Sequence, residues 1–360
     1  NNLTVNASDE LTVNSSRTLT VSGTTDVNGV ITVNGTLDIN GTFDATGATV
    51  NLGSSGKLIL NGSVTSSGTL DALEGTVEYD GGTQNVIADA YYNLEIDQSG
   101  TKTAQGTITV AGTMTVQSAA TYALAATSTT VIGTTDVNGT LTVSSGTFDA
   151  NGTFDATGGN VTFSGAGRLE LGGTVTSLGT FTGGGSSTVS YNGASTQTID
   201  DFGAKSGPYD NLDLDGGGQK DLSGNTTVDG VLSWSADCDM TTNGHTLTIK
   251  QSPTGYDDNR VITGGSSTTV SVAYSSSSTS ECFIPVGIDG DVRDISISAA
   301  SATAETYSVV YTPWSPLGGP GTLFNAHNGG APIESGANAA HVNNHYYYDV
   351  SPTVAFNTDI

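Results

Sequence analysis

The same six-residue unit occurs three times in Asn28-Gly-Val-Ile-Thr-Val-Asn-Gly-Thr-Leu-Asp-Ile-Asn-Gly-Thr-Phe-Asp-Ala45. Each unit joins an Asn-Gly dipeptide to an apolar–polar–apolar triplet: Ile31-Thr-Val33, Leu37-Asp-Ile39 and Phe43-Asp-Ala45. Alternation with a period of two is typical of a β-strand and places the outer and middle residues on opposite faces. The triplets are too short for helices, and Gly and Asn suit turns and positive-φ positions between strands. We therefore expect short strands whose outer residues point into a core and whose middle residues point into solvent.

A longer repeat copies this block further along the chain. Thr42–Gly47 returns as Thr153–Gly158, so the offset is 153 − 42 = 111. The offset reaches 211 − 93 = 118 between Asn93 and Asn211, so residues have been inserted into the second copy, near Asp201–Pro208. Insertions of this kind form loops on one face of a repeat protein. The two copies cover about residues 24–118 and 134–234.

Two architectures use short strands with glycine-rich corners. Asn-Gly favours two-residue β-hairpins, but three-residue strands joined by hairpins would bury little area. In a β-solenoid each triplet instead stacks on the equivalent triplet about 20 residues later. We therefore predict an all-β fold in which residues 1–250 form a β-solenoid, or parallel β-helix.

The character of the sequence changes at Gln251. Seven of the eight prolines follow this position, and Val270–Tyr274 and Tyr307–Tyr311 are longer alternating segments. We predict that residues 251–360 form a separate antiparallel β-sandwich-like domain. Its Pro313–Gly330 segment is a long Gly/Pro-rich loop, and long loops in compact domains are often functional.

The charge of the chain excludes several classes of partner. Nine Lys and Arg against 35 Asp and Glu give a net charge of −26, which opposes binding to nucleic acid and to anionic membrane surfaces. No apolar run approaches the ~20 residues that span a bilayer, so we expect no membrane insertion. The chain opens with Asn1 and not with Met. We interpret it as a secreted or cell-surface product whose export signal has been removed.

The two cysteines, Cys238 and Cys282, are too few for a disulfide framework. In an oxidising compartment we expect them to form one disulfide bridge. The alternative is a pair of buried free thiols.

A paired motif in the two long repeats resembles a known group of proteins. Tyr79–Ile87 with Tyr91–Ile96, and Tyr191–Ile199 with Tyr209–Leu214, are similar to β-strand repeats of large secreted surface proteins of Bacteroidota-like bacteria. Phe283-Ile-Pro-Val-Gly287 is similar to a segment in a β domain that follows such repeats. The resemblance implies an exported adhesin, fibre or coat protein.

Candidate chemical sites are few. Asp213-Leu-Asp215-Gly216 and Asp289-Gly-Asp291-Val-Arg-Asp294 place carboxylates at alternate positions beside glycine turns, a pattern that suits Ca²⁺. Five aspartates occupy middle positions of triplets and are expected on a solvated outer face, not paired in a catalytic cleft: Asp38, Asp44, Asp71, Asp149 and Asp155. Histidines do not complete a metal or nucleophile motif, although His341 and His345 have metal-like spacing. An ice-binding face would need a regular array of threonines, whereas the middle residues mix Thr, Asp, Glu and Ser. We predict no catalytic residues and no required cofactor.

These observations predict a non-enzymatic extracellular structural or adhesive protein. A solenoid exposes an unpaired strand edge at its end, and Leu3-Thr-Val5 is already a repeat triplet. We therefore expect the stalk to associate head to tail with itself into a filament, or to bind cell-surface glycans. The alternative class is a polysaccharide-active or glycan-binding β-helix protein.

Overall fold

The computed structural model describes residues 1–71, 74–202, 207–265, 270–276, 281–288, 291–297, 305–313 and 346–352. The described chain is all-β. Within these ranges there is no helix with the length and apolar character needed to cross a bilayer. The chain divides into two compact units, Asn1–Gly193 with Phe202–Asp210 and Ala194–Asp201 with Asn211–Ile360.

The strands of the first unit are short. They are β1 (Leu3–Val5), β2 (Glu10–Val13), β3 (Thr18–Val21), β4 (Thr25–Val27), β5 (Val30–Val33), β6 (Thr36–Ile39), β7 (Phe43–Asp44), β8 (Thr49–Leu52), β9 (Lys57–Leu60), β10 (Val64–Ser66), β11 (Thr69–Asp71), β12 (Thr76–Tyr79), β13 (Gln84–Val86), β14 (Ala90–Tyr91), β15 (Asn93–Ile96), β16 (Gly100–Ala104), β17 (Ile108–Val110), β18 (Met114–Val116), β19 (Ala120–Leu124), β20 (Ser128–Val131), β21 (Thr135–Val137), β22 (Thr140–Val143), β23 (Thr147–Ala150), β24 (Phe154–Asp155), β25 (Asn160–Phe163), β26 (Arg168–Leu171), β27 (Val175–Ser177), β28 (Thr180–Thr182) and β29 (Thr188–Tyr191).

The second unit contains further short strands and three longer ones. They are β30 (Gln197–Ile199), β31 (Asn211–Leu214), β32 (Lys220–Leu222), β33 (Thr226–Val228), β34 (Leu232–Trp234), β35 (Met240–Thr241), β36 (Thr246–Ile249), β37 (Ile262–Thr263), β38 (Val270–Ser276), β39 (Cys282–Ile284), β40 (Gly287–Ile288), β41 (Asp291–Val292), β42 (Ile295–Ile297), β43 (Glu305–Pro313) and β44 (Tyr346–Pro352).

The predicted alternation of the triplets is confirmed. In β6, Leu37 and Ile39 are fully buried, whereas Asp38 between them is partly exposed. The same in–out–in pattern recurs in most strands of both units. Each coil therefore buries the outer residues of its triplets in a shared apolar core, which is the main source of its stability.

The strands stack in parallel, so the solenoid prediction is confirmed and the hairpin alternative is wrong for the repeats. In the first unit most strands pair with the third strand along the chain, as β3 does with β6 and β6 with β9. Three strands thus make one coil. Within the first unit, the offset between paired residues runs from 93 − 76 = 17, for Thr76 and Asn93, to 25 − 3 = 22, for Leu3 and Thr25. The solenoid has about 13 turns in all.

Corner glycines allow the coils to approach one another. A Cβ added to Gly152 would lie 2.0 Å from the carbonyl oxygen of Gly133, and one added to Gly133 would lie 2.1 Å from that of Gly112. The backbone φ of neither Gly133 nor Gly152 is positive. At this corner glycine is therefore required by close backbone contact between coils, and not by the positive φ that the sequence suggested.

The predicted insertion near Asp201–Pro208 contributes an aromatic ring to the first unit. The ring centroid of Phe202 lies 4.5 Å from that of Phe181 and 4.4 Å from that of Tyr209. Residues 203–206 lie outside the described residues. Packing of these three rings adds apolar contact where the second long repeat gains length.

In the second unit, parallel stacking continues past the predicted boundary at residue 250. β35 pairs with β37 and β36 with β38, both in parallel. Antiparallel pairing begins with β38 and β43, continues with β43 and β44, and also joins β39 to β42. The change in residue composition at Gln251 therefore comes one coil before the change from parallel to antiparallel pairing.

Candidate functional site

The outward side chains differ from sheet to sheet, a sorting that the sequence did not reveal. In the sheet from β3 to β27 (the acidic sheet), one outward column includes Asp38, Glu78, Glu95 and Asp136. In the sheet from β13 to β28 (the threonine sheet), no described outward strand residue is charged. The two sheets therefore present different chemistry to any ligand.

A lysine and two glutamates form an ion-pair cluster on the acidic sheet. Lys57 Nζ pairs with Glu78 and donates a hydrogen bond to Glu95 Oε2 at 2.9 Å. Burial raises the pKa of Glu78 to about 7, even though Lys57 acts in the opposite direction. Burial also opposes ionisation of Glu95, but hydrogen bonds from Gln117 and Lys57 prevail and lower the pKa of that carboxyl. Glu78 is thus partly protonated near neutral pH while Glu95 is charged.

A split between two carboxyl pKa values is an arrangement that acid–base catalysis uses. In this cluster, however, Lys57 binds both carboxylates, and Glu78 is only 5% exposed. A catalytic acid must come within hydrogen-bond reach of its substrate. The cluster therefore fits a role in holding neighbouring coils together.

One group of acidic side chains is close enough to hold a cation. Oxygen atoms of Glu78, Asp80 and Asp97 lie within 4.8 Å of one another. Lys57 pairs with Glu78, and Lys102 interacts electrostatically with Asp80 and Asp97. The ammonium groups of Lys57 and Lys102 therefore offset part of the negative charge of these carboxylates.

The aspartates predicted to bind Ca²⁺ occupy different settings. Asp213 is 3% exposed, and its Oδ1 accepts hydrogen bonds from Ser233 Oγ at 2.9 Å and Ser235 Oγ at 2.8 Å. Asp215 Oδ1 accepts a hydrogen bond from the backbone N–H of Gly216 at 2.7 Å. Both carboxylates therefore accept hydrogen bonds from neighbouring groups of the protein.

The second predicted Ca²⁺ group is only partly within the described residues. Asp289 lies outside them, Asp291 is the first residue of β41, and Asp294 is exposed. His327, His341, His345 and residues 314–330 of the predicted loop also lie outside. His245 is in a turn, where its backbone N–H donates to the carbonyl of Thr242 at 2.8 Å.

Buried tyrosine pairs account for part of the motif that carries the family resemblance. The hydroxyls of Tyr79 and Tyr91 lie 3.0 Å apart, and Tyr91 donates to the carbonyl of Ile87 at 2.7 Å. The hydroxyls of Tyr191 and Tyr209 are also 3.0 Å apart in the second copy. Burial raises the pKa of Tyr79 to about 12. The tyrosine hydroxyls thus hydrogen-bond to one another inside the core and stabilise the fold.

Two buried lysines are the interior residues that the sequence analysis missed. Lys102 stacks on Gln84, and Lys220 stacks on Gln197 in the second copy. The ammonium of Lys102 donates to the backbone carbonyls of Asp97 and Gln98, and Lys220 Nζ donates to Gln197 Oε1 at 2.9 Å. Burial lowers the pKa of both lysines. Their offset, 220 − 102 = 118, equals that of Asn93 and Asn211 in the long repeat. This equal offset was the signal in the sequence that could have identified the two lysines as equivalent residues.

The disulfide predicted between Cys238 and Cys282 is not formed in this structure. Both cysteines are buried free thiols. Burial raises the pKa of Cys238 to about 11 and also raises that of Cys282. Cys238 precedes β35 and Cys282 begins β39, so the two residues belong to different elements of the second unit. Both thiols behave as small apolar groups.

Comparison of the chain with protein-family models, curated proteins and solved structures found no match. The structure itself defines the class: the chain is a β-solenoid repeat protein with stacked parallel sheets.

Proposed function

We propose that this chain is a non-enzymatic structural element of an extracellular surface, a stiff β-solenoid stalk that associates end to end with further copies of itself. The observation that carries the proposal is the first coil. Within the described residues, strands β1, β2 and β3 each pair with one neighbour, so a further coil could pair with the other edge of each strand. Unpaired edges are templates for added strands.

The apolar residues of the first coil support the same proposal. Leu3, Leu11 and Leu19 are half-buried, whereas Ile31 and Leu37, on which Leu11 and Leu19 stack in the next coil, are fully buried. A further coil placed on this edge would bury the three leucines and pair the strand edges at once. Repetition of one such contact between identical copies gives an open filament.

The register of the sheets supports a stiff stalk. The second coil is bonded to the third through all three of its strands, as the pairs of β4 with β7, β5 with β8 and β6 with β9 show. One sheet of nine strands then runs without a break from β3 to β27. Bending would open backbone hydrogen bonds on one face. The net charge of −26 keeps such a surface element soluble and repels lateral contact between stalks.

Sedimentation velocity over a concentration series, with electron microscopy of the same samples, tests this proposal. We expect filaments that lengthen with concentration. Leu11→Lys places a charge on the open edge and should abolish them, whereas Thr32→Lys adds the same charge to an outward position of the second coil and should not. A monodisperse monomer at every concentration would refute end-to-end association, and so would equal assembly of the two variants.

A further inference from the structure

The threonine sheet presents a regular two-dimensional array of side chains. Its strands pair in order from β13 to β28, and the register of β16 to β28 shows no shift. Eight threonines, one alanine and one asparagine occupy the outward positions of its last five strands: Thr101, Thr103, Thr121, Ala123, Thr140, Thr142, Asn160, Thr162, Thr180 and Thr182. We call these ten residues the threonine face.

The register fixes the spacing of the array. Within a strand the two outward residues are two positions apart, or ~6.6 Å, and neighbouring strands lie ~4.8 Å apart. Thr121 lies between Thr101 and Thr140 in one column, and Thr142 stacks on Thr162 in the other. The outward side chains of the face therefore repeat in two directions, with spacings of the same order as those between oxygen atoms in the ice lattice.

The support beneath the face makes the array rigid. The side chains that point inward from its strands form a column of buried residues that includes Tyr122, Leu141, Val161 and Phe181. Tyr122 is fully buried, and its hydroxyl lies 2.7 Å from Thr129 Oγ1. Threonine is β-branched and restricted at χ1. Binding by such residues therefore sacrifices little side-chain entropy.

The face is also neutral in a chain of net charge −26. The outward columns of the acidic sheet contain Asp38, Glu78 and Glu95, and those of β23 and β26 contain Asp149, Arg168 and Glu170. An ice surface is neutral, and strongly hydrated ionic groups would disrupt the water order on which contact with ice depends. The absence of charge from the described outward positions of the threonine sheet therefore matches ice as the ligand.

We propose that the threonine face binds the surface of ice crystals. Taken over all triplets, the middle residues mix Thr, Asp, Glu and Ser, and the sequence therefore predicts no ice-binding face. That mixture does not extend to this sheet, because folding collects eight outward threonines on it and leaves the described acidic triplets on other sheets. The face has no outward aromatic residue on which a sugar ring would stack, which favours ice over a crystalline polysaccharide.

The test uses the full chain carrying a fluorescent dye on its N-terminal amine. Labelled protein is added to a slowly growing single ice crystal, and inhibition of ice recrystallisation is measured in parallel. We expect the label to enter the ice. Thr142→Tyr, near the centre of the face, should raise the concentration needed for half-maximal inhibition about tenfold, equivalent to ~1.4 kcal/mol of lost binding.

Thr109→Tyr is the matched control. Thr109 is a partly exposed outward residue of β17 and stacks on Thr130. Both residues belong to a sheet other than the threonine sheet, so this variant should retain full activity. Circular dichroism melts verify that both variants are folded. Exclusion of the wild-type chain from ice would overturn the proposal, as would equal loss in the two variants. Binding to crystalline cellulose or chitin without binding to ice would assign the face to a polysaccharide instead.

Discussion

Replacing Gly152 by alanine should force two coils of the first unit apart. The added Cβ would lie 2.0 Å from the carbonyl oxygen of Gly133, whereas ordinary van der Waals contact begins at 3.4 Å. Because packed interiors leave no free space to absorb the clash, the two backbones must separate by roughly 1.4 Å. The hydrogen bonds from Asn151 N to Val131 O and from Thr135 N to Thr153 O are both 2.8 Å long and join the same coils. The separation would stretch both to roughly 4 Å, beyond hydrogen-bond distance.

The free-energy cost follows from these contacts. Two lost backbone hydrogen bonds contribute about 2 kcal/mol, and residual overpacking adds ~1–3 kcal/mol. Alanine reduces the conformational entropy of the unfolded chain, which returns ~0.4–1 kcal/mol. We therefore expect Gly152→Ala to lower the free energy of unfolding by about 3 kcal/mol.

Equilibrium urea unfolding, followed by far-UV circular dichroism, measures this change. Gly82→Ala is the matched control, because a Cβ there meets nothing within 4 Å and the backbone φ of Gly82 is not positive. The control should stay within about 0.5 kcal/mol of the wild type. If Gly152→Ala is as stable as Gly82→Ala, the reasoning that close backbone contact selects glycine at this corner is refuted.

Two further predictions concern titratable groups. The pKa of Glu78 is raised from 4.5 to about 7, so the native state binds more protons than the unfolded state between these values, and the contribution of Glu78 to stability falls as pH rises through them. The melting temperature of Glu78→Gln minus that of the wild type should therefore increase as the pH is raised from about 4 to about 7.5. A difference that stays constant over this range would contradict the prediction. Cys238 and Cys282 are buried free thiols, so in the folded protein they should react only slowly with a thiol reagent. After denaturation in the absence of reductant, two thiols per chain should react. No reactive thiol after denaturation would instead establish the bridge predicted from the sequence.

Much of the solenoid could be predicted from the sequence because its signals are local. Leu37, Asp38 and Ile39 alternate in polarity within one strand, and this alternation determines which side chains face the core whatever the rest of the chain does. The long repeat likewise located the equivalent tyrosine pairs. The reason for the corner glycines was less accessible, because the contact between Gly152 and Gly133 joins residues in different coils.

The interior lysines show a second limit of sequence reasoning. Lys102 and Lys220 are charged residues of the type expected on the surface, yet both are fully buried. Their burial depends on acceptors placed by other segments: the carbonyls of Asp97 and Gln98 for Lys102, and Gln197 Oε1 for Lys220. No local sequence pattern predicts such partners, because a charged group is buried only where the fold places hydrogen-bonding groups around it.

The sequence by itself determined that this chain forms short parallel strands stacked in coils, because the period of two and the regular recurrence of the triplets are properties of the chain. Only the tertiary structure decided which triplets share a face. Coils differ in length, since Thr76 pairs with Asn93 whereas Leu3 pairs with Thr25, and each length depends on corners that close only when neighbouring coils are in place. That register collects Thr101, Thr121 and Thr140 on one sheet and Asp38, Glu78 and Glu95 on another.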